Sequence, residues 1–112
     1  MIARVWHGWA TPENADAYEQ LLRSHIFPGI HRVSGFHGAY LLRDDAGDEV
    51  EFVTVTLFDS IDAVREFAGE DYEQAVVPPE AQRLLSRFDE RARHYDTRVT
   101  PDQSTSIASP NE

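Results

Sequence analysis

Residues 35–58 read Gly35-Phe36-His37-Gly38-Ala39-Tyr40-Leu41-Leu42-Arg43-Asp44-Asp45-Ala46-Gly47-Asp48-Glu49-Val50-Glu51-Phe52-Val53-Thr54-Val55-Thr56-Leu57-Phe58. Two runs, Gly35 to Asp44 and Glu49 to Phe58, are dense in β-branched and aromatic residues, and a polar segment with one glycine separates them. That is the pattern of a β-hairpin. The second run alternates Val53, Val55 and Leu57 with Phe52, Thr54, Thr56 and Phe58, so both faces of the sheet it enters are largely apolar.

Outward from the hairpin, each block has its own period. Residues 2–10, Ile2-Ala3-Arg4-Val5-Trp6-His7-Gly8-Trp9-Ala10, lack helical spacing and read as a strand. Thr11-Pro12-Glu13 opens a helix: Thr11 as cap, Pro12 at the first position, and Glu13 and Asp16 near the positive end. Ala15, Tyr18, Leu21, Leu22, His25 and Ile26 then form one apolar stripe, and Pro28-Gly29 is expected to end it. After the hairpin, Asp59 and Ser60 cap a helix carrying Ile61, Val64, Phe67 and Ala68, which Gly69 stops. A short helical turn over Tyr72 to Val77, a helix opened by Pro79 and running through Leu84 and Leu85, and a final strand over 89–99 complete the pattern. Thr100 to Glu112 has Ile107 as its one large apolar residue and is expected to be a disordered tail, leaving residues 1–99 as the folded domain.

The order β-α-β-β-α-(α)-β specifies an α+β chain: a ferredoxin-like split βαβ sandwich, an antiparallel sheet with helices on one face. A sheet that is apolar on both faces needs a second cover, and no segment remains to supply it. Sheet-to-sheet homodimerisation is the expected solution.

Composition narrows the chemistry. The 112 residues contain no cysteine, and their 10 basic residues are all arginine against 20 carboxylates, for a net charge of −10. Thiolate metal sites, cysteine nucleophiles, Schiff-base lysines and the P-loop lysine are excluded. The charge argues against nucleic acid and anionic membrane as partners. The N-terminal stretch, with Arg4, His7 and two tryptophans, is neither a signal-peptide core nor a spanning helix, so a soluble cytoplasmic protein is expected.

Three stretches carry a resemblance: Ile2-Ala3-Arg4-Val5-Trp6-His7-Gly8, Phe58-Asp59-Ser60 leading to Phe67-Ala68-Gly69, and His94-Tyr95. Over about residues 1–99 the chain resembles the antibiotic biosynthesis monooxygenase family. The resemblance implies a dimeric α/β barrel with a small pocket in each subunit between sheet and helices. It also implies one of several activities. Some members oxidise phenolic polyketides to quinones without metal, flavin or haem; others bind and degrade haem. Haem-degrading members place a tryptophan near the end of the second helix and an iron-ligating histidine about three turns on. Here Phe67 and Val76 or Val77 fall at those places, and valine cannot ligate iron.

Sorting strand residues by parity yields candidate site residues. If the turn keeps odd–even register, Tyr40, Thr54, Thr56 and Phe58 share a face with Arg4, Trp6 and His94. Ala39, Leu41, Val53, Val55 and Leu57 then take the opposite face. In the first set His94 is the candidate general base for a phenolic proton, and Arg4 the stabiliser of a phenolate or enolate oxygen. Trp6, Tyr40 and Phe58 supply aromatic walls, and Thr54 and Thr56 orienting hydroxyls. Structural roles compete: a hydrogen-bonded core histidine, an ion-paired Arg4, a core Trp6. The five histidines show neither a helical i, i+4 pair nor a His-x-His pair, so no metal site is expected. The expected function is cofactor-free oxidation of a small aromatic or polyketide-type molecule with O2. The alternatives are a non-catalytic dimeric barrel that binds a small hydrophobic ligand and, more distantly, haem binding.

Overall fold

The computed structural model describes residues 1–101. Most of the segment expected to form a tail, residues 102–112, lies outside the described residues. The elements are β1 (Ile2–Ala10), α1 (Pro12–Leu21), a π-helical turn (Leu22–Ile26), α2 (Phe27–Ile30), β2 (Phe36–Asp44), β3 (Val50–Phe58), α3 (Ile61–Ala68), α4 (Pro79–Leu84), β4 (Leu85–Phe88) and β5 (Arg93–Asp96). The sheet is antiparallel, in the order β2-β3-β1, with β4 and β5 both pairing with β1. It is the α+β, ferredoxin-like arrangement, and the sheet stays open rather than closing on itself. Among the described residues no helix is long and apolar enough to cross a membrane.

Register decides which side chains meet. β1 and β3 pair Ile2 with Phe58, Arg4 with Thr56, Trp6 with Thr54 and Gly8 with Phe52, and this even-numbered face lies under the helices. β5 brings His94 opposite Arg4 on the same face. The hairpin departs from the expected parity. Asp44 pairs with Glu51, so an even number of residues connects the strands and parity flips: Leu41 faces Thr54, and Tyr40 faces Val55. Ala39 and Leu41 therefore turn toward the helices, while Tyr40 and Leu42 turn away. The register shifts between Phe36 and Gly38, where Gly38 has φ +153°, and this bulge returns Phe36 to the helix side beside Phe58.

Three further departures have local causes. The first helix does not stop at Pro28-Gly29. Within the π turn the Phe27 N–H bonds the Leu22 carbonyl, and Pro28 falls in the first turn of α2, where its missing N–H costs nothing. Residues 72–77 form no helix: the Ala75 N–H donates to the Glu90 carbonyl (2.9 Å) and Ala92 N–H to that of Glu73 (2.6 Å), an extended pairing. That pairing draws residues 90–92 off the sheet edge and splits the final strand into β4 and β5, with β4 beginning already at Leu85. Thr11 occupies the cap position of α1 but its hydroxyl makes no capping bond, whereas Ser60 Oγ accepts from the Ala63 N–H (3.2 Å).

Two buried clusters form between sheet and helices. One joins Ala10, Ala15, Tyr18, Leu22, Val50, Phe52 and Ala81; the other joins Ile30, Phe58, Ala63 and Val64. The sheet rows between them carry Arg4, Thr56, Trp6 and Thr54, which break the apolar surface at mid-sheet. On the uncovered face Tyr40, Leu42 and Tyr95 are exposed, beside the half-buried Val5, Val53, Val55 and Leu57.

Candidate functional site

Over that mid-sheet interruption lies a cavity of about 50 Å³. Its floor is Arg4, Trp6, Thr54 and Thr56, its roof Tyr18, Leu22, Ile26, Phe27 and Ile30, and its sides Phe67, Val76, Val77, Pro78 and Ala81. Beside it lies an outer chamber of about 260 Å³ that shares Ile26, Ile30, Phe67, Val76 and Pro78 and adds His25, Gly29 and Glu80. The inner volume holds a few waters, while drug-sized ligands occupy roughly 300–1,000 Å³. A ligand must therefore use both chambers or displace part of the wall.

Arg4 is the dominant electrostatic feature. Its side chain is buried, with the residue only 4% exposed. Nη1 donates to the Tyr72 carbonyl and lies 3.0 Å from His94 Nε2, Nη2 donates to the Gln74 carbonyl at 2.9 Å, and the guanidinium sits 5.4 Å from the Phe67 ring centre. No carboxylate among the described residues pairs with it. Loss of hydration lowers its pKa to about 10. Burying a guanidinium without a counter-ion costs several kcal/mol, and two carbonyl dipoles and an aromatic face compensate only in part.

Around Arg4 the polar groups are few. Thr56 Oγ1 makes a long 3.4 Å bond to the Arg4 carbonyl, and the Trp6 indole N–H donates to the Asp89 carbonyl at 2.7 Å, which fixes the ring. Tyr18 packs edge-on against Phe52 (4.9 Å), and burial raises its hydroxyl above the ordinary tyrosine range, so it stays a neutral donor. The Tyr18 and Thr54 hydroxyls take no partner among the described residues.

The structure thus brings Arg4, Trp6, Thr54 and Thr56 into one cavity wall. His94 stands behind Arg4 rather than in the wall. Its Nε2 must accept from Arg4, which has no acceptor of its own, so the ring proton sits on Nδ1, a buried atom without a partner. Burial, then the Arg4 charge, lower its pKa. In this arrangement the imidazole holds Arg4 and has no free lone pair to offer a substrate. Phe58 lies in the second cluster, stacked on Phe67 (5.9 Å), and supports the wall from outside. Tyr40 is on the uncovered face. The other histidines are dispersed: His7 bonds Glu51 (2.8 Å), His37 bonds Asp59, and His31 meets the Phe36 ring.

Sequence reasoning missed the roof and the side. The signal for the roof was present: Leu22, Ile26 and Ile30 continue the four-residue stripe past Pro28. Val76, Val77 and Pro78 carry no such signal, because they reach the cavity through the pairing of Ala75 with Glu90.

The family model for antibiotic biosynthesis monooxygenases matches residues 1–79. The chain belongs to the antibiotic biosynthesis monooxygenase family. The matched span includes every residue named in the cavity wall except Ala81, and it excludes His94. Among curated proteins no match is found. Solved structures share the fold of this family member at low identity. SnoaB of Streptomyces nogalater, a cofactor-independent oxygenase solved as its N63A mutant, is 16% identical with a TM-score of 0.64, over 89% of this chain and 95% of that one. A conserved protein of Methanosarcina mazei Go1 is 12% identical with a TM-score of 0.65, over 87% and 92%. The haem degrader MhuD of Mycobacterium tuberculosis, solved with two haems in its active site, is 17% identical with a TM-score of 0.57, over 89% and 98%.

Proposed function

We propose that this family member is a monooxygenase-like enzyme that binds a small aromatic or polyketide-type molecule as its oxyanion against Arg4 and delivers it to O2. The observation that carries the reading is the buried Arg4, without a carboxylate partner among the described residues, in a largely apolar cavity. Such a cation favours the ionised form of a phenol or enol, because a nearby positive charge lowers its pKa in a water-poor site. An electron-rich carbanion or phenolate then reduces O2 directly. For an anthrone-like methylene, one oxygen atom becomes the new carbonyl and the other leaves as water with the two displaced hydrogens. The chain's residues bind and orient: Trp6 and Phe67 flank the ring, and Thr54, Thr56 and Tyr18 offer hydroxyls. Among the described residues neither carboxylate nor imidazole lines the inner cavity, so the substrate's own acidity, increased by Arg4, replaces a protein base.

We place the active form as a homodimer joined through the uncovered sheet face, where Tyr40, Leu42 and Val55 would be shielded by the second copy. Sedimentation should find a dimer at micromolar concentration, dissociated by Val55→Asp; a monomeric wild-type chain would overturn this. Oxygen consumption over a panel of anthrones and hydroquinones tests the reaction, with Arg4→Gln expected to lose most of it.

The absence of a base in the wall specifically favours a second reading, a binder without turnover. Saturable binding of phenolic ligands with no oxygen uptake across the panel would select it. Haem fits poorly. The positions that the resemblance assigns to the haem-degrading relatives' tryptophan and histidine hold Phe67 and either Val76 or Val77; these side chains line the cavity, and none can ligate iron.

A further inference from the structure

We infer that the ligand of this cavity is recognised through two oxygens on one edge, a carboxylate or a ring-borne vicinal oxygen pair, held by the free side of the Arg4 guanidinium. The inference rests on the ligand-binding reading above and adds the geometry of the recognised group. A guanidinium has five N–H donors in a rigid plane. Three are committed: both on Nη1, to the Tyr72 carbonyl and His94 Nε2, and one on Nη2, to the Gln74 carbonyl. The remaining two are Nε–H and one Nη2–H, which share an edge when the Gln74 carbonyl takes the Nη2 hydrogen beside Nη1. Neither has an acceptor among the described residues, although Arg4 lines the cavity.

Parallel N–H donors on one edge match two coplanar acceptor oxygens far better than one, which is why arginine binds carboxylates as a fork. His94 and the two carbonyls clamp the other edges, so the free pair is held rigid before a ligand arrives. The apolar body of such a ligand would extend past Phe67 and Val76 into the outer chamber, whose polar rim at His25 and Glu80 is its exit to solvent. A neutral hydrocarbon would leave the Arg4 donors unsatisfied, and a single-oxygen anion would meet both only as one shared acceptor with bent hydrogen bonds.

Three planar anions of similar size test this: pentafluorophenolate with one oxygen, pentafluorobenzoate with a carboxylate, and tropolonate with vicinal ring oxygens. Binding is followed by titration calorimetry at mildly alkaline pH, where all three are ionised. At least one two-oxygen probe should bind about tenfold tighter than pentafluorophenolate, or better. Which of the two does so separates carboxylate from ring-dioxygen ligands. Arg4→Lys keeps the charge but loses the fork, and the preference should shrink to within about threefold. If that variant fails to fold, the ¹⁵N–¹H resonance of Arg4 Nε in the wild-type chain gives the same answer. It should move downfield with the two-oxygen probes and little with pentafluorophenolate. Equal affinities for all three probes, or a preference that survives in Arg4→Lys, overturn the fork while leaving the cavity a ligand site. Failure of every probe to bind overturns the cavity reading itself.

Discussion

His94 Nε2 lies 3.0 Å from Arg4 Nη1, an imidazole lone pair set against a permanently charged donor at the back of the cavity wall. The contact joins residues from the two ends of the chain, β1 and β5, directly opposite each other in the sheet. It makes His94 a positioning residue, because the atom that would take a proton from a substrate already serves Arg4. Around the ring stand Arg4, Tyr72, edge-on at 5.1 Å, and Glu73, whose charge pulls the pKa weakly upward.

This pair predicts a pH dependence of stability. Burial first, and Arg4 second, hold His94 below its ordinary value of 6.5 in the folded chain. Below that value the unfolded chain takes up a proton that the folded chain refuses, so stability is full above about 6.5 and falls with pH toward the depressed folded value. His94→Gln keeps an acceptor for Arg4 but does not titrate. Comparing melting temperatures at about pH 7.5 and pH 5.5, wild type should lose more than His94→Gln. Equal losses would mean that the imidazole does not discriminate between its charge states.

Much of this was legible in the sequence, and the parts that were not share a cause. Arg4, Thr56 and His94 were placed on one face by parity alone, since β1 and β3 pair without a break from Ile2 to Ala10. Parity alone puts Tyr40 on the wrong face because both faces of β2 are apolar. The pattern therefore did not report the parity flip at the connection or the bulge beside Gly38. The roof was cut short because Pro28-Gly29 reads as a stop, and only a widened turn of helix lets the chain pass. Val76 and Val77 reach the cavity through a long-range pairing, which no local period encodes.

Tyr18→Phe should separate binding from stability. Tyr18 is a buried residue of the cavity wall whose hydroxyl takes no partner among the described residues, and burial alone raises its pKa. Its removal leaves no orphaned group, so denaturant titration should show a change within about 1 kcal/mol. Affinity for anionic probes should fall several-fold. A loss of about 2 kcal/mol or more in stability would show that the hydroxyl holds the fold rather than the ligand.

Glycines at the edges of α3 allow a test of strain against space. Gly35 has φ +88°, and a Cβ there would come within 2.9 Å of the Ala63 Cβ; Gly69 has φ +93° with nothing within 4 Å. Gly69→Ala should therefore cost only backbone strain, about 1–3 kcal/mol. Gly35→Ala adds a clash at the start of α3, where the Gly35 carbonyl also accepts the Asp59 N–H at 2.8 Å, and should cost about 3 kcal/mol or more. Equal costs in thermal unfolding would show that the first turn of α3 yields easily.

Gly8 controls the cavity from the far side of Trp6. A Cβ at Gly8 would stand 2.8 Å from Trp6 Cη2 and 3.1 Å from Cζ3, so the indole lies flat across a site that only glycine leaves open. The ring cannot simply swing aside, because its N–H is tied to the Asp89 carbonyl and its other neighbour is Phe88, 6.1 Å away between centroids. In Gly8→Ala the side chain is displaced toward the cavity, which at about 50 Å³ has little room to give. Overpacking of this kind costs about 1–3 kcal/mol, and aromatic probes should lose about tenfold or more in affinity, since one displaced indole atom group excludes ring-sized contact area. Pairing Gly8→Ala with Trp6→Phe, which shortens the ring, should restore much of that affinity. If the single variant binds as well as wild type, the ligand does not enter over Trp6, and the floor of the site is drawn by Arg4, Thr54 and Thr56.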